Sequence, residues 1–162
     1  MSSAAAEGKR TPRYLDVADR IWPATRRVMG LHTFLYRTTG GRLGHVIPGV
    51  PGRMLLLDHV GAKSGNKRTS PLLYFRDGDD VVVVASKGGF PKHPAWYHNL
   101  MANPDTTVQI GSEHRQVHAR VANPEERERL WPVAIKSYHG YADYQVRSKG
   151  REIPLVILEP RK

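Results

Sequence analysis

Two uninterrupted apolar runs, Met54-Leu55-Leu56-Leu57 and Val81-Val82-Val83-Val84, dominate the hydrophobic pattern of this chain. A run without polar alternation is what a strand covered on both faces requires. Arg53 to Val60 is therefore predicted as a strand. Thr69 to Ser86 reads as a hairpin whose arms, Pro71-Leu72-Leu73-Tyr74-Phe75 and the four valines, join at Asp77-Gly78-Asp79-Asp80. Thr106 to Ile110 and Arg115 to Val121 form a second hairpin around Gly111-Ser112, and Ile153 to Leu158 is the last strand. Helical spacing appears elsewhere. From Tyr14 the pattern is helical but broken at Pro23; Ala24 to Thr38 then places Val28, Leu31 and Leu35 on one face and stops at Gly40-Gly41. Its opposite face is basic. Packing on the core is the favoured role of this amphipathic segment, and contact with a membrane surface is the alternative. Gly44 to Gly52, with Pro48 and Pro51, is a turn-rich linker. Pro94 opens a helix over Ala95 to Ala102 that Asn103-Pro104 ends. Asn123-Pro124-Glu125-Glu126 supplies an N-cap, a first-turn proline and a capping-box acid for a helix running to about Tyr138.

Strands joined by tight hairpins are antiparallel, so the order helix, three strands, helix, two strands, helix, strand excludes a Rossmann repeat. It describes a mainly β protein with flanking helices, about six antiparallel strands closing a small barrel. Residues 14–162 read as one domain with an N-terminal helical segment at 14–40, and residues 1–13 as a disordered lead-in.

Composition narrows the partners. The 162 residues include no cysteine, so disulfides, thiol nucleophiles and cysteine-based zinc sites are excluded. No apolar run approaches the roughly 18 residues of a membrane span. The first ten residues lack the charge-then-apolar order of a signal peptide, which makes the cytoplasm the expected compartment. A formal net charge of +10 calls for an anionic partner. Nucleic acid is not expected, because neither an RNP-like pattern nor a recognition-helix signature is present. Arg13, Arg20, Arg26, Arg27 and Arg37 keep peripheral contact with an anionic membrane open. An acidic small-molecule cofactor is the third choice.

Several motifs fail. Gly61-Ala62-Lys63-Ser64-Gly65 lacks P-loop spacing, and G-x-G-x-x-G and G-x-S-x-G are absent. His114 and His118 share one face of a predicted strand but lie about 13 Å apart there, too far for one metal. No metal is expected. What survives is a set: loop one (Ala62 to Arg68), loop two (Ala85 to Gly89), Ala95-Trp96-Tyr97-His98-Asn99 on the short helix, and Tyr138, Tyr141 and Tyr144 at three-residue spacing in a polar segment that ends the last helix. The first hairpin carries both basic loops to the end opposite its turn, bringing Lys63, Lys67, Arg68, Ser86 and Lys87 together with close-approach glycines. Trp96, spaced four from Leu100, also suits a core anchor. Two basic loops beside polar aromatics fit a flat heteroaromatic cofactor with an anionic tail.

The strings Gly61-Ala62-Lys63-Ser64-Gly65-x-x-Arg68-x-x-Pro71-Leu72, Ala85-Ser86-Lys87-Gly88-Gly89, Trp96-Tyr97-x-Asn99-Leu100 with Ala102-Asn103-Pro104, and Tyr141-x-x-Tyr144-Gln145 followed by Ile153-Pro154 resemble the deazaflavin-dependent nitroreductase family of actinobacteria. The match runs from about residue 32 to the C-terminus. The resemblance implies a split β-barrel of the FMN-binding type that holds coenzyme F420, an 8-hydroxy-5-deazaflavin with a phospholactyl-polyglutamate tail. It further implies that Ala62, Lys63, Ser64, Arg68, Thr69, Ser70, Pro71, Leu72, Leu73, Val84, Ala85, Ser86, Lys87, Ala95, Trp96, Tyr97, His98, Asn99 and Tyr141 contact the cofactor. Where this chain has Leu73 the family often has tyrosine; Tyr74 is adjacent but belongs to the opposite strand face. Ser86, Tyr138, Tyr141 and Tyr144 are the candidates for orienting the acceptor, with a tyrosine hydroxyl or water as proton donor. The expected reaction is hydride transfer from reduced F420 to a quinone, nitroaromatic or activated enone. The alternatives are an FMN-dependent reductase on the same barrel and a non-enzymatic binder of anionic membrane or nucleic acid.

Overall fold

The computed structural model describes residues 22–162; the lead-in at 1–13 and the start of the helical segment at Tyr14 lie outside the described residues. Helix α1 (Trp22–Thr39) leads into strands β1 (Arg53–Val60), β2 (Lys67–Asp77) and β3 (Asp80–Val84). A 3₁₀ turn at Lys87–Gly89 precedes α2 (Ala95–Ala102), then β4 (Asp105–Ile110), β5 (Glu113–Val121), α3 (Pro124–Ser137), α4 (Gly140–Arg147) and β6 (Leu155–Pro160). The strands close a barrel in the order β1-β2-β3-β6-β5-β4, every pair antiparallel, with β4 returning to β1 at Leu56↔Gln109 and Leu57↔Val108.

The period of two explains the apolar runs. Leu55 and Leu57 of β1 and Val81 and Val83 of β3 face the barrel interior, with Val108, Val117, Ala119, Val156 and Leu158. Met54 and Leu56 face outward under Tyr36 of α1, while Val82 and Val84 face outward under Leu130 and Ala134 of α3 and Tyr141 of α4. Each run is thus a strand between the interior and an outer helix. Burying one such leucine stabilises by about 1.5–3 kcal/mol. Trp96 and Leu100 of α2 complete the interior cluster.

Helix α1 docks differently from its apolar spacing. Val28 and Leu31 are 65% and 59% exposed, and Leu35 is half-buried. The docking residue is Tyr36, fully buried, whose hydroxyl donates to Met54 O (2.9 Å) and accepts from the Gly111 N–H (2.8 Å). A ring with a polar tip settles where both ends are satisfied, and only this end of the helix meets the barrel. Gly41, at φ 78°, closes the helix; a Cβ there would stand 2.6 Å from Gly111 Cα.

The N-terminus of α3 forms as its sequence indicates: Asn123 Oδ1 accepts from the Glu126 N–H, and Glu126 accepts in return from the Asn123 N–H, both at 2.9 Å. Two expectations are corrected. The three tyrosines do not end one helix, because Tyr138 is the extended C-cap of α3 and Tyr141 and Tyr144 lie on the separate helix α4. The last strand begins at Leu155 rather than Ile153, whose N–H is taken by Gln145 Oε1 (2.9 Å).

Candidate active site

Strand β2 outruns its partner. The ladder to β3 spans Tyr74↔Val83 to Asp77↔Asp80, while the stretch from Lys67 to Leu73 pairs with β1 alone. Pro71, which cannot donate to a ladder, is tolerated on a strand with one unpaired edge. Beside that edge the chain leaves β3 at Val84 and enters loop two, opening a seam in the barrel wall.

Loop one, at the start of β2, is drawn tight by Gly61 N–H to Asn66 O and Gly65 N–H to Gly61 O, each 2.9 Å, with Gly65 at φ 68°. Ala62, Lys63, Ser64 and Arg68 remain exposed. The Ala62 N–H donates to Asn99 Oδ1 of α2 (2.9 Å), which ties this loop to the short helix.

Loop two has a geometry suited to anions. Ser86 is right-handed (φ −79°, ψ −39°), whereas Lys87 (φ 47°) and Gly88 (φ 62°, ψ 19°) are left-handed. That succession turns neighbouring N–H groups into one concavity, a nest. A lysine in the left-handed region costs of order 1 kcal/mol, so the surroundings hold it there. Arg151 supplies the hold: its guanidinium donates to the carbonyls of Ala85 (3.1 Å), Ser86 (2.8 Å) and Phe90 (3.0 Å) and to His93 Nδ1 (3.0 Å). Burial pulls its pKa down. Because C=O and N–H point oppositely across a peptide plane, the amides of Ser86 and Lys87 face away from Arg151. Arg147 donates to Gly88 O (3.0 Å) and lies 4.9 Å from the Phe90 ring centre.

The implied contacts on β2 divide between two faces. Leu72 and Tyr74 pack on the interior cluster, and Ser70 reaches the inward-facing His59. Leu73 lies outside on the Tyr36 cluster, and Thr69 donates to Asp58 (2.6 Å). On α2, Trp96 and Asn99 are buried, Tyr97 is half-buried, and Ala95 and His98 are exposed. Tyr138, Tyr141 and Tyr144 cluster with ring centres 5.0–6.2 Å apart, the hydroxyls of Tyr138 and Tyr144 at 3.1 Å. Tyr141 is buried, which raises its hydroxyl pKa. Gly89 locks loop two to this cluster, since a Cβ there would meet Tyr144 O at 2.6 Å. Loop one is thus tied to α2 through Asn99, and loop two to the tyrosines through Gly89.

Sequence reasoning missed His59, Arg147 and Arg151. His59 was recoverable, because it continues the inward alternation Leu55, Leu57. Arg151, isolated after Gly150, carried no comparable signal. A surface groove of about 480 Å³ beside Trp131 and Arg127 of α3 contains none of the candidate site residues.

From Val60 to Arg76 and from Val81 to Pro104 there is no Asp or Glu. Among the described residues Lys63, Arg68 and Lys87 make no ion pair, whereas Arg37, Arg115, Arg120, Arg127, Arg129 and Arg161 do. Exposed cations on two loops beside buried and half-buried aromatics suit a planar ring with a polyanionic tail, and the residues present fit F420 in that respect.

The comparisons with known proteins agree. The profile of the F420H(2)-dependent quinone reductase family matches residues 28–160. An F420H(2)-dependent quinone reductase of Mycobacterium tuberculosis is 44% identical over 138 residues, 83% of this chain and 91% of that protein. The solved structure of an F420-H2 dependent reductase (FDR-A) is 44% identical with a TM-score of 0.60, covering 65% of this chain and 93% of that one. A solved domain-swapped dimer is 40% identical with a TM-score of 0.63, covering 88% and 98%. The chain belongs to the F420H(2)-dependent quinone reductase family, and with it to the oxidoreductases whose hydride donor is reduced F420.

Proposed function

We propose that this chain reduces a quinone with F420H2 bound along the seam, the tail on Lys63, Arg68 and Lys87 and the ring beside the tyrosine cluster. The observation that carries this reading is the set of three cations without carboxylate partners around an unpaired strand edge. Charge-assisted contacts from these side chains, with the nest at Ser86-Lys87-Gly88, suit phosphate and carboxylate groups. When bound, the reduced deazaflavin supplies a hydride. Hydride addition to a quinone leaves a hydroquinone anion that needs one proton. In this reading the Tyr138–Tyr144 hydroxyl pair and the Ser86 hydroxyl orient the acceptor, and a tyrosine hydroxyl or a bound water delivers the proton. Burial lifts the Tyr141 hydroxyl pKa further above its ordinary range, and its ring serves as a wall of the site.

A lipid-soluble acceptor gives α1 a role. Val28, Leu31 and Phe34 are 65%, 59% and 63% exposed beside the exposed Arg26 and Arg27, a combination suited to peripheral contact with anionic lipid on the cytoplasmic side. No described helix is long and apolar enough to cross a membrane. Replacing the exposed Val28, Leu31 and Phe34 by serine together should abolish binding to anionic liposomes while leaving the buried Tyr36 in place; retained binding would count against this role.

Titration against F420, followed by its fluorescence, should show saturable binding, and adding menadione should oxidise the reduced form. Absence of binding by a folded protein refutes the proposal. A yellow protein that purifies with flavin absorbance would instead favour FMN.

A further inference from the structure

A hydrogen-bond chain of fixed direction runs from loop one to Ser70 on the unpaired stretch of β2. It begins at the Ala62 N–H, which can only donate and does so to Asn99 Oδ1 at 2.9 Å. That contact sets the orientation of the Asn99 amide, so its Nδ2 faces His59 Nδ1, also at 2.9 Å. An amide nitrogen donates, so His59 Nδ1 must accept and carries no proton. Burial and the neighbouring Arg68 charge lower the His59 pKa, while Asp58 opposes them, and the net direction agrees with a neutral ring. The ring proton therefore sits on Nε2, which donates to Ser70 Oγ at 3.0 Å.

Asn99 and His59 are buried, and both ring nitrogens of His59 are used. Ser70 is only half-buried, and among the described residues its hydroxyl makes no further hydrogen bond. Having accepted from His59, that hydroxyl has its own proton left to give. Each donor in such a chain is strengthened by the one before it.

We propose that His59, held in one tautomer by Asn99, is a positioning residue that makes Ser70 a dedicated hydrogen-bond donor to an oxygen of the bound cofactor. The proposal rests on the seam being the F420 site. The acceptor is a carbonyl of the deazaflavin ring or an oxygen of the phosphate-bearing tail, and the ligand form used separates the two.

The test pairs amide replacements for the two ring nitrogens. His59→Asn keeps an oxygen near the Nδ1 position for Asn99 but places nothing at Nε2. His59→Gln carries an amide nitrogen to the Nε2 position. In fluorescence titrations with F420, Ser70→Ala and His59→Asn should each weaken binding about fivefold, as loss of one hydrogen bond does. The double variant should bind no worse than either single one, because both break the same link. His59→Gln should stay within about twofold of the unchanged protein. Repeating the titration with the deazaflavin riboside that lacks the tail shows which oxygen is involved. An unchanged loss places it on the ring; a vanished loss places it on the tail. A readout without cofactor is the ¹⁵N spectrum of His59, which should show the Nε2–H tautomer. An Nδ1–H tautomer, additive losses, or a Ser70→Ala variant that binds as tightly as the unchanged protein would overturn the proposal. Failure of the unchanged protein to bind F420 would instead remove the site itself, and the proposal with it.

Discussion

Replacing Arg151 by methionine tests how loop two is held. The guanidinium donates to three carbonyls within one six-residue bend from Ala85 to Phe90, and to His93 beyond it. Hydrogen bonds from a charged donor contribute about 1.5 kcal/mol or more each, so the three carbonyls give roughly 4–5 kcal/mol. Partial burial of a cation without a carboxylate offsets roughly 1–2 kcal/mol of that. Arg151→Met should therefore destabilise by about 3 kcal/mol, or roughly 6–12 °C in Tm for a domain of this size. Arg151→Lys should recover only about a third, because an ammonium cannot span the fork that reaches Ala85, Ser86 and Phe90 together. Urea unfolding measures the loss, and amide hydrogen exchange at residues 85–90 locates it. A methionine variant within about 0.5 kcal/mol of the parent, with unaltered exchange in the loop, would refute this account.

The alanine double variant Lys63→Ala with Lys87→Ala should weaken F420 binding, more for long tails than short ones; equal affinity would remove the tail-binding role. Lys87→Gly should relieve the left-handed backbone at φ 47° and stabilise by up to about 1 kcal/mol in urea while weakening tail binding, and a destabilised variant would contradict the strain argument. Asn123→Ala should cost about 1 kcal/mol through loss of the α3 cap, measured the same way. His45, His59 and His93 all have pKa values lowered by burial from the ordinary 6.5, so the unfolded chain takes up protons before the native one. Stability should be level above about pH 7 and fall as pH drops below about 6.5; a urea midpoint unchanged down to pH 5 would contradict this.

Much of the barrel was legible because its strands signal twice, once to the interior and once to an outer helix. Met54 to Leu57 and Val81 to Val84 are apolar on both faces for that reason. The capping box at Asn123 was legible because it is entirely local. The docking of α1 was not, since Tyr36 is chosen by Met54 and Gly111, partners distant in sequence, while the more obvious Val28 and Leu31 stay exposed. The break between α3 and α4 at Tyr138 was missed because continued three-residue spacing mimics one helix. At the site, the loops and tyrosines were visible as motifs, but the groups that fix them were not. Arg151 acts on backbone carbonyls, and His59 acts through a tautomer set by Asn99. Neither leaves a pattern that spacing alone reveals.

The one-sided pairing of β2 has a consequence for solution behaviour. A strand edge with free amides and carbonyls is a template on which a foreign strand can grow, the first step toward aggregation. Lys67, Arg68 and Pro71 stand on that edge as gatekeepers, two by charge repulsion and one by its missing donor. A ligand bound along the edge, as proposed above, would add a further shield and make occupancy a determinant of shelf life as well as of turnover.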